Sequence, residues 1–263
     1  MSNLNLKRYG NGSEQLVAIH GLGSASTAWD LIRPELANRY EFITIDLPGH
    51  GKAAMRATLD MNPVRLAEII KDELLSHGIE QFHLMGNSLG GWIGFEMAAR
   101  YPEQIKSFTG VAPAGLWFVP KTHRNGELAI SRYMARATYR FAYPIAKLKF
   151  ARAIGFKLVS PQWEKFSPEL CAKAAIAMGS ATGYYTLWDA FLGNRFDKPI
   201  SPELPVTVIF GDADYTLPAA NSQEKSLAPA HAKWINLSEC GHAPMWDQAE
   251  AVIEAVNATI RSA

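Results

Sequence analysis

A serine lies between two glycines in the stretch Gly-Asn-Ser-Leu-Gly at residues 86–90. The apolar run Phe82–Met85, typical of a strand, precedes it, and a helical pattern over Leu89–Tyr101 follows it. In such a strand–turn–helix segment the tight turn strains the serine backbone, tolerates only small residues nearby and lifts the hydroxyl above the sheet edge. The partial positive charge of the helix N-terminus also favours a developing anion there. We therefore predict that Ser88 is a catalytic nucleophile.

A serine hydroxyl is a weak nucleophile at neutral pH, so it needs a base, and the base needs an orienting acid. Three histidines follow Ser88 in the chain: His123, His231 and His242. His123 precedes the candidate acids, and His231 precedes the last predicted strand, which places it at the wrong sheet edge. His242 follows that strand in a Cys-Gly-His-Ala-Pro turn. We predict that His242 is the base.

The acid should follow a strand and precede His242. Asp212 and Asp214 both come directly after the apolar run Val206–Phe210. Asp214 has turned away from the strand direction and can reach a neighbouring loop, so we predict that it is the acid. Asp212 continues the strand direction and is the alternative, with bracing of the loop as its other possible role.

An oxyanion needs preorganised hydrogen-bond donors. The backbone N–H of Leu89, directly after the nucleophile, and that of Leu22, in the loop after the first buried strand, are the predicted donors. In the same loop His20 is expected to brace the backbone. Trp117 and Phe118 follow the fourth buried strand and are predicted to line the substrate pocket, with ordinary packing as the alternative.

The elements that position these residues are short apolar runs that alternate with helical patterns. Continuous apolar runs suit strands of a parallel sheet that are buried on both faces, and six of them are Leu16–His20, Phe42–Asp46, Phe82–Met85, Ser107–Ala112, Val206–Phe210 and Lys233–Leu237. Leu4–Tyr9 alternates and predicts an antiparallel edge strand. Helices are predicted over Pro63–His77, Leu89–Tyr101 and Gln248–Arg261. The alternation predicts an α/β fold.

Residues 116–200 break this alternation and predict an inserted, mostly helical unit, with 1–115 and 201–263 forming the catalytic core. This segment holds 13 Lys or Arg and 5 Asp or Glu, a net charge of +8, whereas the remainder carries −7. A basic insertion is able to steer anionic substrates. It is equally typical of a solvated helix surface, and the third alternative is a membrane or partner contact through a basic amphipathic helix near Tyr139–Phe156.

Composition excludes several classes of protein. The 263 residues, with a net charge of +1, give no reason to expect nucleic acid as a partner. Two cysteines, Cys171 and Cys240, are too few for a disulfide scaffold or a four-ligand zinc site. No apolar run approaches the roughly 18 residues of a membrane helix, and Met1–Gly12 lacks the apolar core of a signal peptide. We expect a cytoplasmic monomer or homodimer with a small-molecule acyl substrate, no membrane partner, no cofactor and no metal.

Five motifs together resemble the α/β-hydrolase superfamily. They are HGLG at 20–23, DLPGHG at 46–51, GNSLGG at 86–91, GDAD at 211–214 and CGHAP at 240–244. The resemblance implies a mostly parallel, eight-stranded-type sheet flanked by helices, with residues 116–200 as a helical cap over the site. It also places the acid on the fourth residue of its loop, Asp214.

The resemblance implies a serine hydrolase that cleaves a carboxylic ester or related acyl substrate through an acyl-enzyme. Epoxide hydrolases and haloalkane dehalogenases carry Asp where this chain has Ser88, so those activities are disfavoured. Asn87 before the serine is similar to the carbon–carbon bond hydrolases of ring-fission products, which are the alternative. Those enzymes usually carry Trp where this chain has Ala243, and Arg195 is the nearest counterpart of their cap arginine. A ligand sensor that retains the triad is a further alternative.

Overall fold

The computed structural model describes residues 4–55, 60–124 and 126–263, without the side chains of 127–129. Their seven strands are β1 (Asn5–Tyr9), β2 (Gln15–Ile19), β3 (Glu41–Asp46), β4 (Phe82–Asn87), β5 (Ile105–Val111), β6 (Val206–Gly211) and β7 (Lys233–Leu237). They form one sheet in the order β1-β3-β2-β4-β5-β6-β7. β1 runs antiparallel to β3, and the other neighbouring pairs are parallel. The predicted α/β sheet with an antiparallel edge is confirmed.

The strand count differs from the eight-stranded-type sheet expected from the resemblance. Each of the six apolar runs and the alternating segment Leu4–Tyr9 forms one strand, and no further described segment pairs with β1 or β7. Every residue of β4 and β6 is buried, because helices cover both faces of the sheet centre. β7 lies at the edge and is only partly buried, in keeping with its more polar sequence.

The described helices are α1 (Arg33–Ala37), α2 (Pro63–Ser76), α3 (Leu89–Arg100), α4 (Gly126–Thr138), α5 (Ala142–Ala146), α6 (Lys149–Phe156), α7 (Pro168–Ser180), α8 (Tyr184–Phe191), α9 (Ala219–Ser222), α10 (Pro244–Asp247) and α11 (Ala249–Arg261). α2 begins where the side chain of Asn62 accepts the N–H of Arg65 at 2.9 Å, and Pro63 occupies its first turn. It ends just before Gly78, which has a φ of +72°. The three predicted helices are confirmed to within a residue or two.

Between β5 and β6 the described residues form α4 to α8 and short 3-10 turns but no strand. We call residues 116–200 the helical insertion. The buried Arg132 of α4 donates to the carbonyls of Gly179 and Ala181, at 2.9 and 2.7 Å, and so joins α4 to the end of α7. Lys173 of α7 reaches Asp30 of the core at 2.8 Å. α4 and the end of α7 are therefore joined to each other, and α7 is joined to the core.

Two further observations bear on the sequence expectations. Both Cys171 and Cys240 are buried free thiols, and burial raises the pKa of each. In the part of the chain that is described, no helix has the length and apolar character needed to cross a bilayer.

Candidate active site

Ser88 occupies the junction between β4 and α3, as the sequence predicts. Its backbone has φ 53° and ψ −116°, a conformation that residues with side chains rarely adopt. Its carbonyl accepts the N–H groups of Gly91, Trp92 and Ala114, which hold the turn in place. Surrounding structure that over-determines a strained residue in this way is typical of functional sites.

The glycines around Ser88 are required by close backbone approach. A Cβ at Gly86 would lie 2.2 Å from the carbonyl oxygen of Gly90, and a Cβ at Gly90 would lie 2.1 Å from that of Ile19. Both contacts are with backbone, which cannot swing aside as a flexible side chain does. The Gly-x-Ser-x-Gly spacing therefore lets α3 start directly against the ends of β2 and β4.

His242 and Asp214 lie in contact, with 2.8 Å between Nδ1 of the imidazole and Oδ2 of the carboxylate. The other oxygen, Oδ1, accepts the N–H groups of Thr216 and Leu217 at 2.9 and 2.8 Å. The Asp214 side chain is fully buried, whereas that of His242 is 14% exposed. Because a carboxylate can only accept, Nδ1 carries the proton in this pair, and Nε2 of a neutral His242 is left as a proton acceptor.

Asn87 connects the turn at Ser88 to the loop at 240–244, which we call the histidine loop. Its side-chain amide Nδ2 lies 2.9 Å from the carbonyl of Val111 and 3.3 Å from the carbonyl of His242, and it donates to both. Asn87 itself is buried. Sequence reasoning did not assign this role, although an amide at the end of a buried strand was the available signal, since buried amides need partners.

The other acid and histidine candidates lie elsewhere. Asp212 accepts the N–H of Cys240 at 3.3 Å and so braces the histidine loop, as the alternative role anticipated. His231 contacts the carbonyl of Leu204 at 2.8 Å, ahead of β7. His123 is exposed beside Thr122.

The loop that carries Leu22 lies beside the serine. A Cβ built on Gly21 would lie 2.9 Å from the Cβ of Ser88. The N–H of Gly23 is occupied by Nε2 of His50 at 3.0 Å, whereas those of Leu22 and Leu89 donate to no other residue in the described part of the chain. Of the two predicted oxyanion donors, Leu89 therefore follows Ser88 directly in the chain, and Leu22 belongs to the loop that lies beside Ser88 in space.

Two buried histidines, His20 and His50, hold the loop at 20–23 in place. His20 accepts the N–H of Leu47 on Nε2 at 3.0 Å, in the bracing role expected for it, and His50 holds Gly23. Burial lowers the pKa of both rings, that of His50 to about 3. Asp46 accepts the N–H of Ser26 at 2.6 Å and that of Lys52 at 3.0 Å. Residues of the 46–51 motif thus hold the loop at 20–23 in place, a role that the sequence did not reveal.

Trp117 and Phe118 differ in their surroundings. Trp117 is buried, packs edge-on against Trp92 at 5.4 Å between ring centroids, and donates its indole N–H to the carbonyl of Asn194 at 2.8 Å. Phe118 is 46% exposed. A cavity of about 600 Å³ lies between the helical insertion and the loop that follows β6, and neither Trp117 nor Phe118 lines it. The residues that line this cavity are Pro161, Gln162, Glu164, Lys165, Asp212, Ala213, Tyr215 and Glu239. Pocket lining by Trp117 and Phe118 stays a prediction.

Two cationic side chains of the insertion, those of Arg195 and Lys121, contact Trp117. Arg195 donates Nη1 to the carbonyls of Trp117 and Phe118 at 3.3 and 2.7 Å, so part of its guanidinium is used by backbone. Nζ of Lys121 lies 4.9 Å from the centre of the Trp117 ring. Burial lowers the pKa of Lys121, and the carboxylate of Asp214 opposes that shift.

The insertion also contacts the histidine loop directly. The backbone N–H of His242 donates to the carbonyl of Val159 at 2.8 Å, and Gln162 donates its side-chain amide to the carbonyl of Glu239 at the same distance. Gly241 permits this approach, since a Cβ there would lie 2.1 Å from the Val159 carbonyl oxygen. The position of His242 therefore depends on the insertion as well as on the core.

Comparison with known proteins shows which family this geometry belongs to. Residues 16–255 match the model of the family described as "Alpha/beta hydrolase family". A dihydrolipoyllysine-residue acetyltransferase component of an acetoin cleaving system, from Cupriavidus necator, is 26% identical over 92% of this chain and 62% of its own length. A pimeloyl-[acyl-carrier protein] methyl ester esterase from Aeromonas hydrophila is 36% identical over 41% of each chain. The chain spans less than two thirds of the length of the first curated relatives it matches.

Among solved structures, the enol-lactonase from Burkholderia xenovorans LB400 superposes with a TM-score of 0.74. The match covers 98% of this chain and 96% of that one, at 19% sequence identity. At this identity the likeness concerns the fold alone.

Proposed function

This chain belongs to the alpha/beta hydrolase family, and we propose that it is a serine hydrolase that cleaves a carboxylic ester or related acyl substrate. The observation that carries the proposal is the contact of Asp214 with His242 at 2.8 Å, on a loop that Asn87, the neighbour of Ser88, binds through its amide. Helices of the insertion 116–200 would act as the cap over this site.

In the proposed reaction, Oγ of Ser88 attacks the substrate carbonyl carbon and Nε2 of His242 takes the hydroxyl proton. The tetrahedral oxyanion receives the N–H groups of Leu22 and Leu89, at the start of α3 where the helix dipole adds positive potential. His242 passes the proton to the leaving alkoxide, which departs as the alcohol and leaves an ester on Ser88. Water, deprotonated by His242, then attacks that ester, and Ser88 regains its proton as the acid leaves.

Asp214 serves this cycle without changing its own protonation. Its Oδ2 holds Nδ1–H of His242, which fixes the tautomer that has a free Nε2, and it stabilises the imidazolium formed in each half-reaction. Its Oδ1 accepts the N–H groups of Thr216 and Leu217, so the carboxylate is held in position in a buried setting.

The test combines a covalent probe with turnover. A fluorophosphonate should add one adduct to the native chain, seen by intact-mass spectrometry, and Ser88→Ala should prevent both the adduct and the hydrolysis of p-nitrophenyl esters while keeping the native circular dichroism spectrum. Ser262→Ala, at the exposed end of α11, is the matched control and should retain both. Retained ester turnover in folded Ser88→Ala would refute the proposal.

A second candidate is hydrolysis of the carbon–carbon bond of a ring-fission product, a vinylogous diketone acid. It would use the same residues together with a cation for the substrate carboxylate. Lys121 favours it, because this partly buried ammonium group lies over Trp117 and within the electrostatic influence of Asp214. Arg195 suits the role less well, because its Nη1 already binds two backbone carbonyls.

A substrate panel separates the two candidates. Esters, lactones and thioesters should turn over in the native protein, and Lys121→Met should leave neutral esters unaffected. If only diketone acids turn over and Lys121→Met raises their KM, the carbon–carbon bond hydrolase replaces the ester hydrolase.

A further inference from the structure

The outer surface of the insertion around α5 and α6 exposes large apolar side chains. None of the residues of α6 is buried, and Phe150 and Ile154 are 66% and 61% exposed. Other exposed apolar side chains of the same segment, 139–158, are Phe141, Tyr143, Leu148 and Leu158. We call these six side chains the apolar face. Six large apolar side chains exposed within 20 residues mark an interaction site more often than scattered single residues do.

The apolar face is carried by an anchored segment. Ala142 and Ala146 of α5 are buried in a small core with α7, and Phe156 packs edge-on against Phe166 at 6.1 Å between ring centroids. Phe150 and Ile154 are four residues apart on α6, so their side chains are neighbours on one side of that helix. One side of the segment is thus packed against the protein, while the other presents apolar side chains outward.

The charged residues of the chain segment that carries the apolar face are all basic. Residues 128–163 contain no Asp or Glu and seven Lys or Arg. Lys147 and Lys157 are exposed at either end of α6. Lys149 lies 3.2 Å from Glu164, and Arg152 donates to the carbonyl of Ala146 at 2.9 Å, so these two have local partners. The segment therefore combines exposed apolar and cationic side chains with no acidic residue among them.

The combination of exposed apolar and cationic side chains favours an anionic membrane over a second copy of the chain as the binding partner. In a symmetric dimer the same patch meets itself, so two copies of segment 139–158, which carries five Lys or Arg and no Asp or Glu, would repel each other. The surface of an anionic bilayer offers the opposite charge for the cations and an acyl boundary for the aromatic and aliphatic side chains. We propose that the segment 139–158 docks this protein on a membrane surface that contains anionic phospholipid.

Membrane docking is contrary to the expectation of no membrane partner. It corresponds to the third alternative for the basic insertion, a membrane contact through the helix near Tyr139–Phe156. Its geometry bears on the site, because Leu158 of the apolar face precedes Val159, whose carbonyl binds the N–H of His242. A docked segment would therefore hold the histidine loop next to the lipid surface. Docking itself does not depend on the proposed hydrolase chemistry.

Vesicle flotation tests the proposal with the full chain. The native protein should float with vesicles of phosphatidylcholine mixed with phosphatidylglycerol, and far less with phosphatidylcholine alone. Added salt should weaken the binding, because it screens the attraction. Lys147→Gln combined with Lys157→Gln should reduce the partition coefficient by about fivefold for each cation removed.

Apolar substitutions complete the test. Phe150→Ser combined with Ile154→Ser should lower binding to the anionic vesicles at least as much as the charge variant, because both side chains would enter the lipid interface. The matched control is Val64→Ser combined with Leu75→Ser, which removes exposed apolar side chains from α2 and should bind as the native protein does. Thermal unfolding checks that each variant folds.

Two outcomes would overturn the proposal. One is binding that is absent at low salt or equal on neutral and anionic vesicles. The other is a dimer in sedimentation experiments that Phe150→Ser with Ile154→Ser dissociates, which would assign the apolar face to a second copy of the chain.

Discussion

Asp247 accepts the backbone N–H of Gly241 on Oδ2 at 2.7 Å, immediately before His242 in the chain. Its other oxygen, Oδ1, contacts the hydroxyl of Ser160 in the helical insertion. Burial raises the pKa of Asp247, and these two hydrogen bonds oppose that rise. One carboxylate therefore joins the insertion to the loop that presents the proposed base, beside the backbone bond from His242 to Val159.

Asp247→Ala should lower kcat for ester hydrolysis by about tenfold or more with little change in KM, because a loss of one hydrogen bond of this kind costs about 1.5–3 kcal/mol. The reason is that Gly241 loses its acceptor while Ser88 and the substrate surface stay unchanged. Steady-state kinetics with a soluble ester measure the split between kcat and KM.

Ser160→Ala is the partial control for Asp247, since it removes the contact from the insertion but keeps the acceptor of Gly241. We expect a smaller loss of kcat for Ser160→Ala than for Asp247→Ala. Equal kcat in the native protein and Asp247→Ala would show that this carboxylate does not position His242.

Asp214→Asn should reduce kcat by about 10³- to 10⁴-fold, because the amide no longer stabilises the imidazolium and can favour the wrong tautomer of His242. Asp212→Asn loses the negative charge but keeps an amide oxygen that can still accept the 3.3 Å bond from Cys240, so the loss of kcat should stay within about tenfold. Both variants are compared by kcat under the same conditions. The opposite ranking would assign the acid to Asp212.

Gly90→Ala should lower the free energy of unfolding by about 1–3 kcal/mol, because its methyl group would meet the backbone carbonyl of Ile19 at 2.1 Å. Gly155→Ala is the matched control in α6, where nothing lies within 4 Å of the added Cβ. Helix propensity predicts a gain of about 0.5–1 kcal/mol there. Urea unfolding measures both, and a Gly90→Ala protein as stable as the native one would contradict the close-packed turn.

Acid should destabilise the protein through the buried ring of His50. Burial lowers its pKa from 6.5 to about 3, so the unfolded chain binds this proton more readily than the folded protein does. The contribution of neutral His50 to the free energy of unfolding is complete above pH 6.5. It is lost as the pH falls towards about 3, at up to about 1.4 kcal/mol per pH unit.

His50→Gln should flatten this dependence, since glutamine binds no proton in that range. Urea unfolding at a series of pH values below neutrality gives the slope, and His77→Gln, on an exposed site, is the control. An unchanged slope in His50→Gln would assign the acid sensitivity to other groups, with His20, whose pKa burial also lowers, as the next to test.

Much of this fold is predictable from the sequence because its signals are local. A continuous apolar run can satisfy its backbone in a buried strand, so the six such runs, with the alternating run Leu4–Tyr9, predict all seven strands to within a few residues. The glycines at 86 and 90 indicate a turn that only glycine permits, whatever lies around it. The order of Ser88, Asp214 and His242 along the chain, each just after a strand, predicts that they meet at one sheet edge. The direction of the chain after β6 likewise favours Asp214 over Asp212 as the acid.

What depended on tertiary structure is the set of contacts between segments far apart in the chain. Asn87 donates to His242 across 155 residues, and Asp247 reaches Ser160 across 87; hydropathy periodicity contains no information about such partners. Burial is equally non-local: it distinguishes Arg132, enclosed between α4 and α7, from the exposed Arg136 four residues later. The same reason applies to the apolar face of 139–158, because only packing decides which apolar side chains of an amphipathic segment remain uncovered.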